Sequence, residues 1–255
     1  MPDNLFLPIN GLSEQVAGFC STRQGGVSLP PYKSLNLGLH VGDDPQAVGA
    51  NRALLNAHLP KPPVWLNQVH GVNVFDADQP CQPHAQHPIP TADAAITTQT
   101  ERPLAILTAD CLPIVIANHS GTVLGLAHAG WRGLAQGVLE ATLQAMRQAS
   151  PSKQSWSAWV GPGIGAQAFQ VGQDVYDTFV DQSATYARFF TLDPNQPSKW
   201  FADLAGLAGH RLSLLGSQFV HQSQRCTVTE AELFFSYRRD GQTGRMATIA
   251  WLKNK

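Results

Sequence analysis

The chain has 255 residues, enough to bury a sizeable core, and its 43% hydrophobic and 14% charged content is that of a globular protein rather than a disordered or fibrous one. Its 17 Lys and Arg nearly cancel its 18 Asp and Glu, so it lacks the basic face that a nucleic-acid partner requires. No apolar run approaches the roughly 20 residues that span a bilayer, and residues 1–12 lack the basic start and apolar block of a secretory signal, so the expected compartment is the cytoplasm, with no membrane partner.

Along the chain, short β-type runs are expected at residues 64–66, 104–107, 113–117, 122–127 and 157–160. Residues 78–90, rich in Pro, Gln and His, read as an exposed loop. A helix is predicted over 133–149, where Leu134, Val138, Leu139, Thr142, Leu143 and Met146 fall on one face. Further helices are expected over 172–180 and 201–219. Residues 232–238 and 246–252 read as two strands of a hairpin around the turn-rich Asp240-Gly241-Gln242-Thr243-Gly244. Together these predict a single domain over 1–255 with an α/β (α+β) sandwich of mixed sheets flanked by helices. Gly161-Pro162-Gly163-Ile164-Gly165 matches neither a dinucleotide fingerprint nor a phosphate loop. It is either a tight turn or a cradle of backbone amides for a ligand.

Four cysteines, Cys20, Cys81, Cys111 and Cys226, are scattered widely, which in a cytosolic chain argues against disulfides. Most free cysteines simply pack as small hydrophobes. Cys111 differs because it sits in a polar cluster at a strand end, Thr108-Ala109-Asp110-Cys111. Two other strand ends carry similar clusters, one with His70 and one with His128. Two imidazoles and a thiolate are donors that zinc prefers, and three protein ligands leave the fourth tetrahedral position open, as in catalytic rather than structural sites. The separations match no short zinc motif, so spacing alone supports this set only weakly.

Six blocks add to it: FCSTRQGGVS at 19–28, NQVHG at 67–71, TADCLP at 108–113, AHAGWRG at 127–133, GPGIG at 161–165 and FSYRRDG at 235–241. In this order, from about Ala17 to Leu252, they resemble the signature blocks of the YfiH family. That family was first named for polyphenol oxidase or laccase domains and later for purine nucleoside phosphorylase. The resemblance implies a fold related to cysteine-hydrolase-like toxins and one zinc held by His70, Cys111 and His128. It also implies phosphorolysis of adenosine, inosine and 5′-methylthioadenosine, with adenosine deamination alongside, so the partners would be a nucleoside and phosphate.

Around this set, Asp110 is either a proton shuttle or a support for the ligand loop. Arg23 and Arg132 are nominated for phosphate or ribose contact, and Arg238 belongs to the same signature set, because guanidinium suits oxyanions; each could equally serve a structural ion pair. Trp131, Phe169 and Tyr237 are candidates for stacking on a base or for plugging the core. Rival readings are a copper polyphenol oxidase, a metal-free hydrolase with Cys111 as nucleophile and His128 as its base, and a cell-wall precursor editing hydrolase. A multicopper laccase is disfavoured by nine His in all and no His-x-His pair, although copper could still occupy the His-Cys-His set.

Overall fold

A computed structural model describes residues 5–79, 89–150 and 155–254. Residues 80–88 of the expected loop, with Cys81, His84 and His87, lie outside the described residues. The strands are β1 (Phe6–Pro8), β2 (Val16–Ser21), β3 (Val74–Asp76), β4 (Ala94–Thr97), β5 (Leu104–Thr108), β6 (Leu112–Asn118), β7 (Leu124–Ala129), β8 (Trp156–Val160), β9 (Gln170–Gly172), β10 (Phe190–Leu192), β11 (Lys199–Ala202), β12 (Ser217–Gln222) and β13 (Met246–Leu252). The helices are α1 (Pro45–Asn56), α2 (Trp131–Gln136), α3 (Val138–Ala149), α4 (Gln173–Val180), α5 (Leu204–Leu214) and α6 (Tyr237–Asp240).

A six-stranded mixed sheet, ordered β12-β8-β6-β7-β4-β3, forms the middle layer. Its central strand β6 is buried along its whole length, and the two-residue strand period divides its side chains between two cores. Leu112, Ile114 and Ile116 pack with Leu139 and Leu143 of α3 and Leu207 and Leu212 of α5. Val115 and Ala117 turn the other way, toward Leu104, Ile106, Met246 and Ala250 of a four-stranded sheet ordered β1-β2-β13-β5. The far face of that second sheet is covered in turn by Leu55 of α1 and by Leu35 and Leu37 of the segment before it. A small sheet, β10-β11-β9, lies apart. The expected sandwich of mixed sheets flanked by helices is borne out.

Several boundaries differ. The predicted helix 133–149 is two helices, because Gly137 adopts φ 98° and closes α2 before α3 begins. The predicted helix 201–219 contracts to α5, whose start is fixed by Asp203 accepting from the Gly206 N–H at 2.8 Å. Phe201 and Phe219 belong instead to the flanking strands β11 and β12. Residues 64–66 make only an isolated bridge, Val64 to Leu104.

The C-terminal hairpin is the largest correction. β13 forms, but both its edges are taken by β2 and β5, so residues 232–238 have no edge to pair with. That segment is a loop running into α6. The Arg239 guanidinium holds it by donating to the carbonyls of Thr227, Val228 and Phe234.

Candidate metal centre and its cavity

Strand pairing brings the first two functional side chains together. β6 and β7 are antiparallel neighbours with Pro113 opposite His128, so Cys111, one step before β6, arrives beside the end of β7. The chain then turns at Gly130 into α2. This close approach demands glycine, since a Cβ there would lie 2.9 Å from Cys111 Sγ and 3.1 Å from His70 Cδ2.

His70 arrives from the loop between α1 and β3, and a residue the sequence reading passed over holds it there. Asp93, fully buried just before β4, accepts backbone N–H groups from Val69 at 3.1 Å, His70 at 2.9 Å and Gly71 at 2.7 Å. This collar stabilises His70 at φ 62°, a left-handed conformation that a residue with a side chain adopts only when its surroundings enforce it. The same carboxylate accepts from His128 Nδ1 at 2.9 Å, which leaves His128 Nε2 as the free ring nitrogen. A lone carboxylate within the otherwise apolar run Ala92–Ile96 was the available signal.

The candidate ligand atoms of His70, Cys111 and His128 lie within 4.8 Å of one another. Bonds of zinc length at a tetrahedral angle would separate a nitrogen and a sulfur by about 3.6 Å. Cys111 Sγ and His70 Nε2 stand 3.8 Å apart. Cys111 and His128 are also coupled electrostatically, and a metal bound here would take the place of the His128 ring proton. Burial would raise the Cys111 thiol, but the neighbouring His128 charge and hydrogen bonds from both imidazoles outweigh it and bring the thiol down to about 6. Burial works against a charged His128 as well, and the Cys111 thiolate and Asp93 draw its pKa upward. A thiolate with two imidazoles, one oriented by a buried carboxylate, is a donor set that fits a zinc-type ion.

Asp110, also at positive φ, spends both carboxylate oxygens on structure. One accepts from Thr227 Oγ1 and the other from the Arg238 N–H, each at 2.6 Å. The amides of the glycine segment are similarly engaged: Gly161 donates to Pro113, Ile164 to the Asp110 carbonyl and Gly165 to Cys226 Sγ. The segment therefore behaves as packed turn, with Ile164 reaching the cavity wall.

The three candidate ligands line a cavity of about 590 Å³, together with Trp131, Arg132, Phe169, Tyr237, Arg238 and two residues the sequence reading missed, His40 and Arg245. Arg23 is not on this wall. Its guanidinium donates to the carbonyls of Lys33 and Ala231 and lies 4.7 Å from the Phe235 ring.

A family model described as multi-copper polyphenol oxidoreductase laccase matches residues 17–253. The chain belongs to this family. A protein of Shigella flexneri named purine nucleoside phosphorylase YfiH is 44% identical over 250 residues, covering 97% of this chain and 98% of its own length. One of the same name from Escherichia coli K12 is 45% identical over 239 residues, with 93% and 94% covered. The crystal structure of Neisseria meningitidis protein NMB0706 resembles this fold with a TM-score of 0.89 at 42% identity, covering 98% of this chain and 100% of that one. YlmD from Geobacillus stearothermophilus gives a TM-score of 0.82 at 32% identity, with 94% and 93% covered. The resemblance read from the six sequence blocks is borne out, and within this laccase-named family the YfiH name recurs among the relatives.

Proposed function

We propose that the chain is a metal-dependent purine nucleoside phosphorylase acting on adenosine, inosine and 5′-methylthioadenosine, with adenosine deamination as a lesser activity. The observation that carries this reading is the content of one cavity. The His70-Cys111-His128 group shares it with three guanidiniums, of Arg132, Arg238 and Arg245, none ion-paired to a carboxylate among the described residues. Uncompensated guanidinium charge facing a cavity suits an anionic reactant. Support also comes from the purine nucleoside phosphorylase names of the curated relatives. The cavity volume falls within the roughly 300–1,000 Å³ usual for small-molecule sites.

In phosphorolysis a phosphate oxygen bonds to the ribose C1′ while the C1′–N9 bond breaks. The purine leaves with the bonding electron pair and takes up a proton, giving free base and ribose 1-phosphate. Arginines beside C1′ would hold the phosphate in line and offset its charge. Phe169 and Trp131 offer flat apolar walls against which the base could lie. Zinc held by His70, Cys111 and His128 would act as a Lewis acid beside the substrate. Asp93 keeps two of those ligands in position.

Deamination exchanges water for ammonia at the purine and needs a proton carrier. Asp110 is the one carboxylate on the cavity wall among the described residues, and both its oxygens already accept hydrogen bonds. We therefore assign Asp110 to holding the Cys111 turn, and deamination to the minor share of turnover.

A second reading, a metal-free hydrolase with Cys111 as nucleophile and His128 as base, draws support from the thiolate–imidazole pairing itself. A copper oxidase has less: the described residues hold a single group suited to a metal ion, whereas multicopper chemistry needs several. The test is to incubate protein of measured metal content with adenosine, with and without phosphate, and resolve adenine from inosine. Phosphate-dependent adenine that disappears in Cys111→Ala and in chelator-treated protein, and returns with added zinc, supports the proposal. Turnover that survives chelation favours the thiol hydrolase, and absence of any nucleoside turnover at full metal occupancy rejects the phosphorylase.

A further inference from the structure

The three cavity guanidiniums are not equivalent. Arg238 donates Nη1 to the Gln170 carbonyl at 2.9 Å and lies 5.5 Å from the Phe169 ring, along the aromatic wall. Arg132 lies 4.5 Å from the ring of its own neighbour, Trp131. Arg245 is braced at every point except one. Its backbone N–H donates to Asn36 Oδ1 at 2.9 Å and its carbonyl accepts from Leu37 at 3.1 Å. Its Nη1 donates to the carbonyls of Thr243 at 3.1 Å and Gly244 at 3.0 Å.

That leaves the Nε and Nη2 N–H groups without a hydrogen bond to any described residue. Those two donors form the edge with which a guanidinium grips an oxyanion through two parallel bonds. Arg245 lines the same cavity as Cys111 and Asp110; burial depresses its pKa, and the charges of those two groups act against that depression. His40, on the same wall, carries a pKa lowered first by burial and next by the charge of Arg245. His40 thus stands close enough to the Arg245 guanidinium to be kept from taking up a proton, which leaves it a neutral N–H donor.

The surroundings are built around this arginine. The loop that carries His40 passes so close to it that a Cβ at Gly38 would lie 2.9 Å from Arg245 Cγ. Asn36 Oδ1 accepts from both Gly38 and Arg245, locking the loop and the start of β13 together. Arg245, His40 and Tyr237 also line a second cavity of about 330 Å³, so they stand where the two spaces adjoin.

We propose that the free edge of Arg245, with His40 as an additional N–H donor, is the oxyanion subsite of this cavity. Its ligand class is a tetrahedral oxyanion. Its identity as the inorganic phosphate co-substrate rests on the phosphorylase reading; the existence of the subsite does not.

Inorganic phosphate is the probe, titrated by calorimetry into metal-loaded wild type, Arg245→Lys and Arg245→Met, with metal content measured on each sample. Loss of a charge-assisted bidentate pair corresponds to a fall in phosphate affinity on the order of 10- to 100-fold. Arg245→Met shows that fall, and Arg245→Lys, which keeps the stem and charge but loses the fork, shows a smaller one. In turnover the same variants raise KM for phosphate while KM for adenosine and metal content stay near wild type.

Wild-type protein that does not bind phosphate overturns the proposal. So does undiminished phosphate binding in Arg245→Met or, should that variant fail to fold, in Arg245→Lys. A phosphate site lost in Arg132→Met and retained in Arg245→Met overturns it equally. If phosphate binds through Arg245 but no base is released, the subsite stands and the phosphorylase reading falls.

Discussion

Asp93→Asn changes one carboxylate oxygen into an amide group with almost no change in volume. In the native site Oδ1 accepts from the His70 N–H and from His128 Nδ1, and Oδ2 accepts from Val69 and Gly71. Whichever way the asparagine amide is turned, its NH₂ faces two donors, so two of the four bonds are lost and replaced by donor–donor contacts. A hydrogen bond to a charged group contributes about 1.5–3 kcal/mol, which makes the expected loss about 3–6 kcal/mol for this fully buried side chain. That is a large fraction of the roughly 5–15 kcal/mol by which a domain is stable. For a chain of this size it lowers Tm by roughly 10 °C or more.

The second consequence is local. Without its collar, His70 is no longer held at positive φ, and His128 loses the partner that fixes its ring. Metal affinity, measured by competition with a chromophoric chelator, should fall by roughly 10- to 100-fold, the usual effect of removing a residue that orients metal ligands. Calorimetric unfolding of metal-free protein separates the two effects. An Asp93→Asn protein with wild-type Tm and wild-type metal affinity would refute the assignment of Asp93 as the organiser of the site.

Gly130→Ala forces a methyl group against Cys111 Sγ and His70 Cδ2, so it should abolish stoichiometric metal binding while lowering stability by about 1–3 kcal/mol in denaturant unfolding; retained metal content would contradict the geometry. Thr227→Val removes the hydroxyl that donates to Asp110 Oδ1 and should cost about 1.5–3 kcal/mol, a value near zero showing that the carboxylate finds another donor. Ile116→Ala, in the middle of β6, should destabilise by about 2–5 kcal/mol without changing metal affinity, and a selective loss of metal would mean that the core and the site are coupled.

The candidate metal ligands were readable because each sits where an apolar run gives way to a polar cluster. β5, β6, β7 and β8 were readable because their runs are short and continuous, as strands buried on both faces require. The hairpin failed for a reason local patterning cannot reveal. Residues 232–238 are apolar enough to pair, but the edges of β13 are claimed by strands more than a hundred residues away in sequence. Asp93 was missed because it is not one of the three candidate ligands and acts on them through three backbone amides and one imidazole. Arg245 was missed because it lies just beyond the last signature block, and its distinguishing property, an unspent pair of donors, belongs to three-dimensional space. Arg23 had the opposite fate: its block is distinctive, but its guanidinium is spent on the carbonyls of Lys33 and Ala231.

The position of β13 bears on the order in which the protein can assemble. It lies between β2 and β5, and both of its pairings join segments far apart in sequence, so neither forms early in a folding chain. Until β13 inserts, β2 and β5 present open edges to each other and to other chains. Arg245 immediately precedes β13, and the Asn36 contact that locks it in place depends on that insertion. The cavity wall is thus finished by the same event that closes the sheet, and a chain whose edges are still open lacks Arg245 in its braced position. Pulse-labelling of backbone amides during refolding should find the β2, β5 and β13 ladders gaining protection together, with phosphate binding appearing no sooner.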